Sequence, residues 1–238
     1  MRLRIRLLPA LLVLAVIAAT VGLGFWQLER AHRKEAVAAR IEVLASAGAE
    51  AIGAQRVSLA AIEYHRVRAH GRFLAERVIY LDNRPRGEQP GFYVVMPLQL
   101  DGGVSVLVLR GWLPLNPVDR TEIAPYATPS GAVEVEGMAR ADTTRAFELG
   151  RDAAPPARIR QNLDVAAYAS ETGLALQPFV IEQTGGAPDG LVRDWPAPTL
   201  GVERNYGYAL QWWLMALVAA GFGLYAARRA ARKAGDAG

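Results

Sequence analysis

Cysteine is absent from all 238 residues, and with it disulfides, thiolate nucleophiles and CxxC redox chemistry. Histidine is scarce, only His32, His65 and His70. On an extended segment His65 and His70 project to opposite faces, which is poor geometry for a shared metal ion. HExxH, GxSxG, GxGxxG after a strand and the P-loop are all missing. Asp and Glu are scattered, with no pair spaced as acid and base. These absences leave no enzyme class with support and no metal site. Internal repeats and low-complexity tracts are absent too.

What is abundant is apolar surface, 52% of residues, concentrated at the two ends. Leu7–Leu28 carries no charge, nor does Asn205–Ala227. Crossing a bilayer takes about 20 apolar residues, so both runs read as transmembrane helices. A cleaved signal peptide usually has an apolar stretch of about 7–15 residues. The first run is longer and lacks a sharp small-residue stop, so it is expected to be an uncleaved anchor.

Arg2, Arg4 and Arg6 precede the first run, and Arg228, Arg229, Arg232 and Lys233 follow the second. The positive-inside rule then puts residues 1–6 and 228–238 in the cytoplasm and residues 29–204 on the other side. Arg30, Arg33 and Lys34 oppose the rule, which long translocated domains obey poorly. The net charge of +4 comes largely from these flanking arginines. The expected partner is therefore a lipid head group and not nucleic acid.

After the first run, good helix formers continue to Gly48, and the stretch to Leu59 reads as a linker. The period then becomes two. Tyr64–Ala69, Val78–Leu81, Phe92–Leu100, Val104–Trp112, Val133–Met138 and Ala175–Glu182 read as strands. Asp101-Gly102-Gly103 reads as a hairpin turn, and Pro114, Pro117, Pro125, Pro129, Pro155 and Pro156 punctuate connections. One helix is expected over Asn162–Gly173, capped by Asn162 or Asp164. The fold class is α+β: an antiparallel sheet or partly closed β-barrel with one short helix, flanked by two transmembrane helices.

Five stretches stand out in order. They are LGFWQLERAHRK (Gly24, Trp26, Gln27, Arg30, Lys34), DNRPRGEQPGFYVVMPLQL (Asn83, Arg84, Gly91, Val94, Pro97), VLVLRGWLP (Arg110, Gly111, Trp112, Pro114), VEVEGMAR (Gly137, Arg140) and NYGYALQWW (Tyr208, Ala209, Gln211, Trp212). The series resembles the Surfeit-locus-one, or Shy-type, family of cytochrome c oxidase assembly factors over essentially the whole chain. That resemblance implies a bacterial inner-membrane protein with a periplasmic domain, acting as a scaffold or chaperone. Its implied partners are the oxidase core subunit and haem a synthase. It further implies at most a transient encounter with haem a and no stably bound cofactor. The interface it implies comprises Trp26, Gln27, Arg30, Arg84, Gly91, Pro97, Arg110, Gly111, Trp112, Tyr208, Gln211 and Trp212.

Three departures matter. Asn205 stands where the family has the histidine proposed as a haem ligand, and an amide is a poor ligand for haem iron. Leu109 replaces an asparagine and Met96 a threonine. His32 would substitute only if it reached the same interface. A transient haem a carrier and a two-span scaffold with an unrelated partner stay open as alternatives.

Individual residues also carry plainer readings. Trp26, Trp212 and Trp213 fit an aromatic belt at head-group level. Gln27 and Gln211 are expected to face the helix–helix contact or a partner subunit. Small residues on one face, Ala209, Ala216, Ala220, Gly223 and Ala227 in the second span and Ala15, Ala18, Ala19 and Gly22 in the first, suggest close helix packing. Arg84, Arg110 and Arg140 suit either a partner-facing basic surface or bonds within the domain. Gly91 and Gly111 suit backbone geometry, and Pro97 a bulge or strand edge.

Overall fold

The computed structural model describes residues 2–141, 158–186, 188–196 and 200–235; Pro155 and Pro156 lie outside them. From the N-terminus the elements are α1 (Arg2–Ser46), β1 (Glu50–Ile52), the one-turn α2 (Leu59–Ile62), β2 (Arg66–Phe73), β3 (Ile79–Leu81), β4 (Gly91–Leu100), β5 (Ser105–Pro114), β6 (Ala132–Arg140), β7 (Ile159–Arg160), α3 (Val165–Thr172), β8 (Leu176–Gln183) and α4 (Val202–Gly235). Contacts divide the chain into two compact units, Met1–Arg40 with Ala197–Gly238, and Ile41–Pro196.

Leu7–Ser46, which lies in the helical unit up to Arg40, and Val202–Arg232 are each long and apolar enough to cross a bilayer. Their contact follows a 3.5-residue period, the spacing that keeps a seam facing a partner helix. On α1 the shielded positions include Val13, Ile17, Thr20, Gly24, Gln27, Ala31 and Lys34; on α4 they include Asn205, Ala209, Trp212, Ala216, Ala219, Ala220 and Gly223. Lys34 meets Asn205, Gly24 meets Trp213 and Val13 meets Gly223, so the two helices run antiparallel. A Cβ on Gly24 would lie 2.2 Å from Trp213 Nε1; only a bare backbone admits that ring.

The small-residue expectation was half right. Ala209, Ala216, Ala220 and Gly223 are shielded, but Ala227 is exposed, and so are Ala15, Ala18, Ala19 and Gly22 on α1. The seam passes along the neighbouring face because Thr20, Gly24 and Ala31, not the alanine cluster, keep its 3.5-residue register.

In the other unit the six expected strands all form, within a few residues of their expected limits. They close into a ring β2–β6–β8–β5–β4, shut by the pairing of β2 with β4. A ring of five cannot alternate direction throughout, because five is odd. One neighbouring pair must be parallel, and it is β5 with β8. The barrel is thus closed rather than partly closed, and it is mixed rather than wholly antiparallel. Inside it pack Val67, Val94, Leu98, Val108, Phe179 and Ile181. A second cluster outside the ring joins Leu81, Tyr93, Leu109, Trp112 and Tyr168 of α3.

Two short strands were not expected. β1 lies inside the supposed linker and extends the sheet parallel to β2, and β7 pairs parallel with β3. At three and two residues, neither is long enough to show a period. α3 forms as expected: of the two candidate caps the structure uses Asp164, which accepts from Ala167 N, and Gly173 caps the other end in the left-handed region (φ 70°). α1 ends at Ser46, two residues before Gly48.

Candidate functional site

Two motif stretches, DNRPRG and RGW, converge at one end of the barrel, and a register slip brings them together. Val94 pairs with Gly111 but Val95 with Leu109, leaving Arg110 as the extra residue of a β-bulge. The bulge reverses the in–out alternation of β5. Val106 and Val108 belong to the inner cluster, and the Arg110 guanidinium lies over the rings of Phe73 and Tyr126, both on that inner side. Beyond the bulge the phase flips, and Trp112 joins Leu107 and Leu109 outside.

Arg110 is 1% exposed, which removes it from any partner-facing surface. Its Nη1 donates to Thr128 Oγ1 at 2.7 Å, and its Nη2 to Ala127 O at 3.0 Å and Asp189 Oδ2 at 2.8 Å. Burial pulls its pKa down, and the Asp189 carboxylate opposes that pull. Asp189 also accepts from Arg193 Nη2 at 2.5 Å and from the Leu191 amide at 3.1 Å. The segment after β8 is thereby pinned across the barrel end, where Val192 and Trp112 exchange both backbone bonds. Gly111 leaves room for this segment, since a Cβ there would lie 2.6 Å from Leu191 Cβ.

Arg84 is buried as well and donates to the carbonyls of Asp82 and Gln161 at 2.9 Å each, with its charge over the Tyr93 ring. Trp112 Nε1 donates to Arg84 O at 2.7 Å. Gly91 makes space for that indole: a Cβ would lie 2.4 Å from the Trp112 ring and 2.3 Å from Leu113 O. Arg84, Gly91, Arg110, Gly111 and Trp112 are therefore brought together, but as an internal staple and not as an exposed face. What does open to solvent there is a cleft of about 260 Å³ lined by Pro85, Arg86, Tyr93, Trp112, Asp194 and Trp195. The Arg86–Asp194 ion pair, 2.7 Å long, lies on its wall.

Pro97 lies apart from this group. On β4 it falls between the residues that pair with β3 and those that pair with β2. Its carbonyl accepts from Leu74 N at 2.9 Å, so its ring nitrogen points the same way, into a gap with no ladder partner. The strand changes partner there; the bulge lies elsewhere, at Val94/Val95. Arg140 is half-buried, 5.0 Å over the Tyr64 ring, with Nη1 3.9 Å from Glu182 Oε2. Burial raises the Glu182 carboxyl above the usual range, and Arg140 offsets only part of that. His65 and His70 pair separately with Glu50 and Asp101.

The helical unit holds the other motif residues. Asn205, 7% exposed, donates through Nδ2 to Gln27 Oε1 at 2.6 Å and accepts at Oδ1 from Lys34 Nζ at 2.7 Å. Lys34 also reaches Gly201 O at 3.4 Å. Both ends of the Asn205 amide are committed within the seam, so this position does not fit an iron ligand. Trp26 faces outward, 53% exposed, with Arg30 stacked 5.5 Å above its ring. Trp212 is half-shielded in the seam, whereas Tyr208 and Gln211 are exposed. Of the two glutamines, then, only Gln27 meets the opposite helix. His32 is exposed, its ring edge-on to Tyr206 at 6.4 Å.

Asp189 and Trp195 are the site residues missed in the sequence. Asp189 sits 79 residues from its arginine, in a segment with no period to place it.

A closed five-stranded barrel, carried with two helices at the chain ends that are long and apolar enough to cross a bilayer, is an architecture that fits a membrane protein. The model of the SURF1 family matches residues 14–217, from inside α1 through the barrel and into α4. The chain resembles the SURF1-like protein of Rickettsia bellii at 30% identity, over 72% of this chain and 69% of that one. The SURF1-like protein of Rickettsia conorii is 29% identical over 87% and 85%. Surfeit locus protein 1 of Xenopus tropicalis is 27% identical over 85% and 70%. The chain belongs to the SURF1 family, a family of cytochrome c oxidase assembly factors.

Proposed function

We propose that this chain assists the maturation of the cytochrome c oxidase core subunit, at the stage where haem a is inserted, in a bacterial inner membrane. Both helices span, the termini are cytoplasmic and the barrel is periplasmic. The observation that carries the reading is a family match that takes in the barrel and extends into both apolar helices. Basic residues outside both runs support the orientation. The Asn205 geometry favours a scaffold over a resident haem protein, because the amide is already spent on Gln27 and Lys34.

The test is an absorption spectrum of membranes from a deletion strain. Haem a bands should fall and return with the plasmid-borne gene; unchanged bands would sink the assignment. Transient haem a carriage is the second reading, and the exposed His32 beside Tyr206 favours it. A stoichiometric haem band on the purified chain, lost in His32→Ala, would establish that reading.

A further inference from the structure

We propose that the cleft at the barrel end is a recognition pocket for an acidic side chain on an extended segment of a partner polypeptide. Its walls include Pro85, Arg86, Tyr93, Trp112, Asp194 and Trp195. Trp, Tyr and Arg are the residue types that carry most of the energy where proteins bind. At about 260 Å³ the cleft is smaller than the roughly 300–1,000 Å³ of small-molecule sites, and it suits a single side chain.

The cleft has hydrogen-bond donors to spare. Both indoles are committed, Trp112 Nε1 to Arg84 O and Trp195 Nε1 to Gln183 O, each at 2.7 Å. Tyr93 is not. It is 9% exposed, with the Trp195 ring edge-on at 5.1 Å, yet its hydroxyl has no hydrogen-bond partner among the described residues. Burial raises its pKa above the usual tyrosine value, so at neutral pH the phenol keeps its proton and stays a donor. Arg86 donates through Nε to Asp194 Oδ2 at 2.7 Å. Its two terminal nitrogens make no bond among the described residues.

Charge selects among acceptors. Around the cleft Arg86 has Asp194, Arg120 has Asp82 and Arg140 has Glu182. Arg84, buried 5.7 Å from the Tyr93 ring centroid, bonds only to backbone carbonyls and is the positive charge left over. A donor-rich site with a positive excess calls for a carboxylate, and arginine clusters are a recurring means of reading acidic motifs. Asp194 is the internal stand-in. Its side chain is 54% exposed and that of Arg86 46%, and an exposed pair contributes little to stability, so an incoming carboxylate displaces it at small cost. The Arg86 fork can hold that carboxylate through two parallel bonds, and the Tyr93 hydroxyl supplies a further donor. The pocket reads the side chain whatever protein brings it, so it stands apart from the oxidase assignment.

The test is fluorine NMR of the full-length chain, labelled with fluorotryptophan in detergent, with the Trp195 resonance identified by its loss in Trp195→Phe. The probes are glutamate, glutamine and lysine, each blocked by acetyl and methylamide groups. Blocked glutamate should move the Trp195 resonance saturably, and blocked glutamine should bind about tenfold more weakly, having no charge-assisted bonds. Tyr93→Phe should weaken glutamate binding about fivefold, the effect of one hydrogen bond. Asp194→Asn should tighten it about threefold, the effect of removing an exposed ion pair that competes. Weaker binding in Asp194→Asn, or tighter binding of blocked lysine than of blocked glutamate, would overturn the proposal in favour of a cation site. Equal affinity for glutamate and glutamine, or no saturable movement of the Trp195 resonance, would overturn it outright. Glutarate binding more tightly than blocked glutamate would overturn the polypeptide assignment in favour of a small acid.

Discussion

Removing the Asp189 carboxylate should cost the barrel more than removing the arginine it pairs with. In Asp189→Ala the Arg110 guanidinium keeps Thr128 and the Ala127 carbonyl but loses its anion at 2.8 Å, and Arg193 loses its own at 2.5 Å. Arg110, 1% exposed, has no route to water. Stranding one partner of a buried pair costs about 3–5 kcal/mol, a large share of the roughly 5–15 kcal/mol that holds a domain folded. In Arg110→Met, by contrast, Asp189 keeps Arg193 and the Leu191 amide. The loss should be about 1–3 kcal/mol, that of buried hydrogen bonds left unmade. The double variant Arg110→Met, Asp189→Leu should regain about 2 kcal/mol of the Asp189→Ala loss, because apolar replacements of buried pairs are well tolerated. Pulse proteolysis in urea on the detergent-solubilised chain measures the folded fraction of the barrel, while the micelle shields the helices. Equal costs for the two single variants, or a larger cost for Arg110→Met, would refute the reasoning.

Gly91→Ala should displace the Trp112 indole and destabilise the barrel by about 1–3 kcal/mol, the usual cost of overpacking, read as a lower urea midpoint. Glu182→Gln tests the buried carboxyl: its folded pKa is raised by desolvation, so its ionised form is disfavoured in the fold. The stability associated with the protonated form is present below the unfolded carboxylate pKa and is lost as pH rises through the folded value. The amide should therefore stabilise at neutral pH and lose its advantage in acid; a pH-independent difference would count against it. Asn205→Ala should loosen the helix pair by about 1 kcal/mol, the scale of an interhelical bond in a membrane. Disulfide trapping between cysteines introduced at Thr20 and Ala216 would show this as slower cross-linking. Val118→Cys, at a loop site 93% exposed, should react with an impermeant maleimide in intact spheroplasts. Labelling only after lysis would reverse the topology.

Period and composition made much of this legible before the fold was known. The uncharged runs gave both helices, and alternation gave every strand of the ring, because those strands are long and buried on at least one face. Closure was not legible, since it depends on the β2–β4 and β5–β8 pairings between distant segments. Of the motif residues, Arg84 and Arg110 showed in the sequence that they mattered, but not which way they faced. The bulge at Arg110 that turns Trp112 outward is a one-residue slip that leaves no mark on composition. The Asn205 tie was half-visible: Gln27, Lys34 and Asn205 were all singled out, but only an antiparallel register puts the three together.

The position of β8 in the ring has a consequence for the order in which this chain is made. Before residue 183 emerges, the strands available form an open sheet, β6–β2–β4–β5, with two bare edges. β8 joins both edges at once, antiparallel to β6 and parallel to β5. Such long-range pairing is slow and leaves edges open to wrong partners in the interval. Only a short stretch separates Gln183 from α4, so the strand that closes the barrel and the second apolar helix are made in close succession. Folding of the domain and membrane entry of that helix are then close in time, and a chain cut before β8 would be left as a tethered sheet with exposed edges.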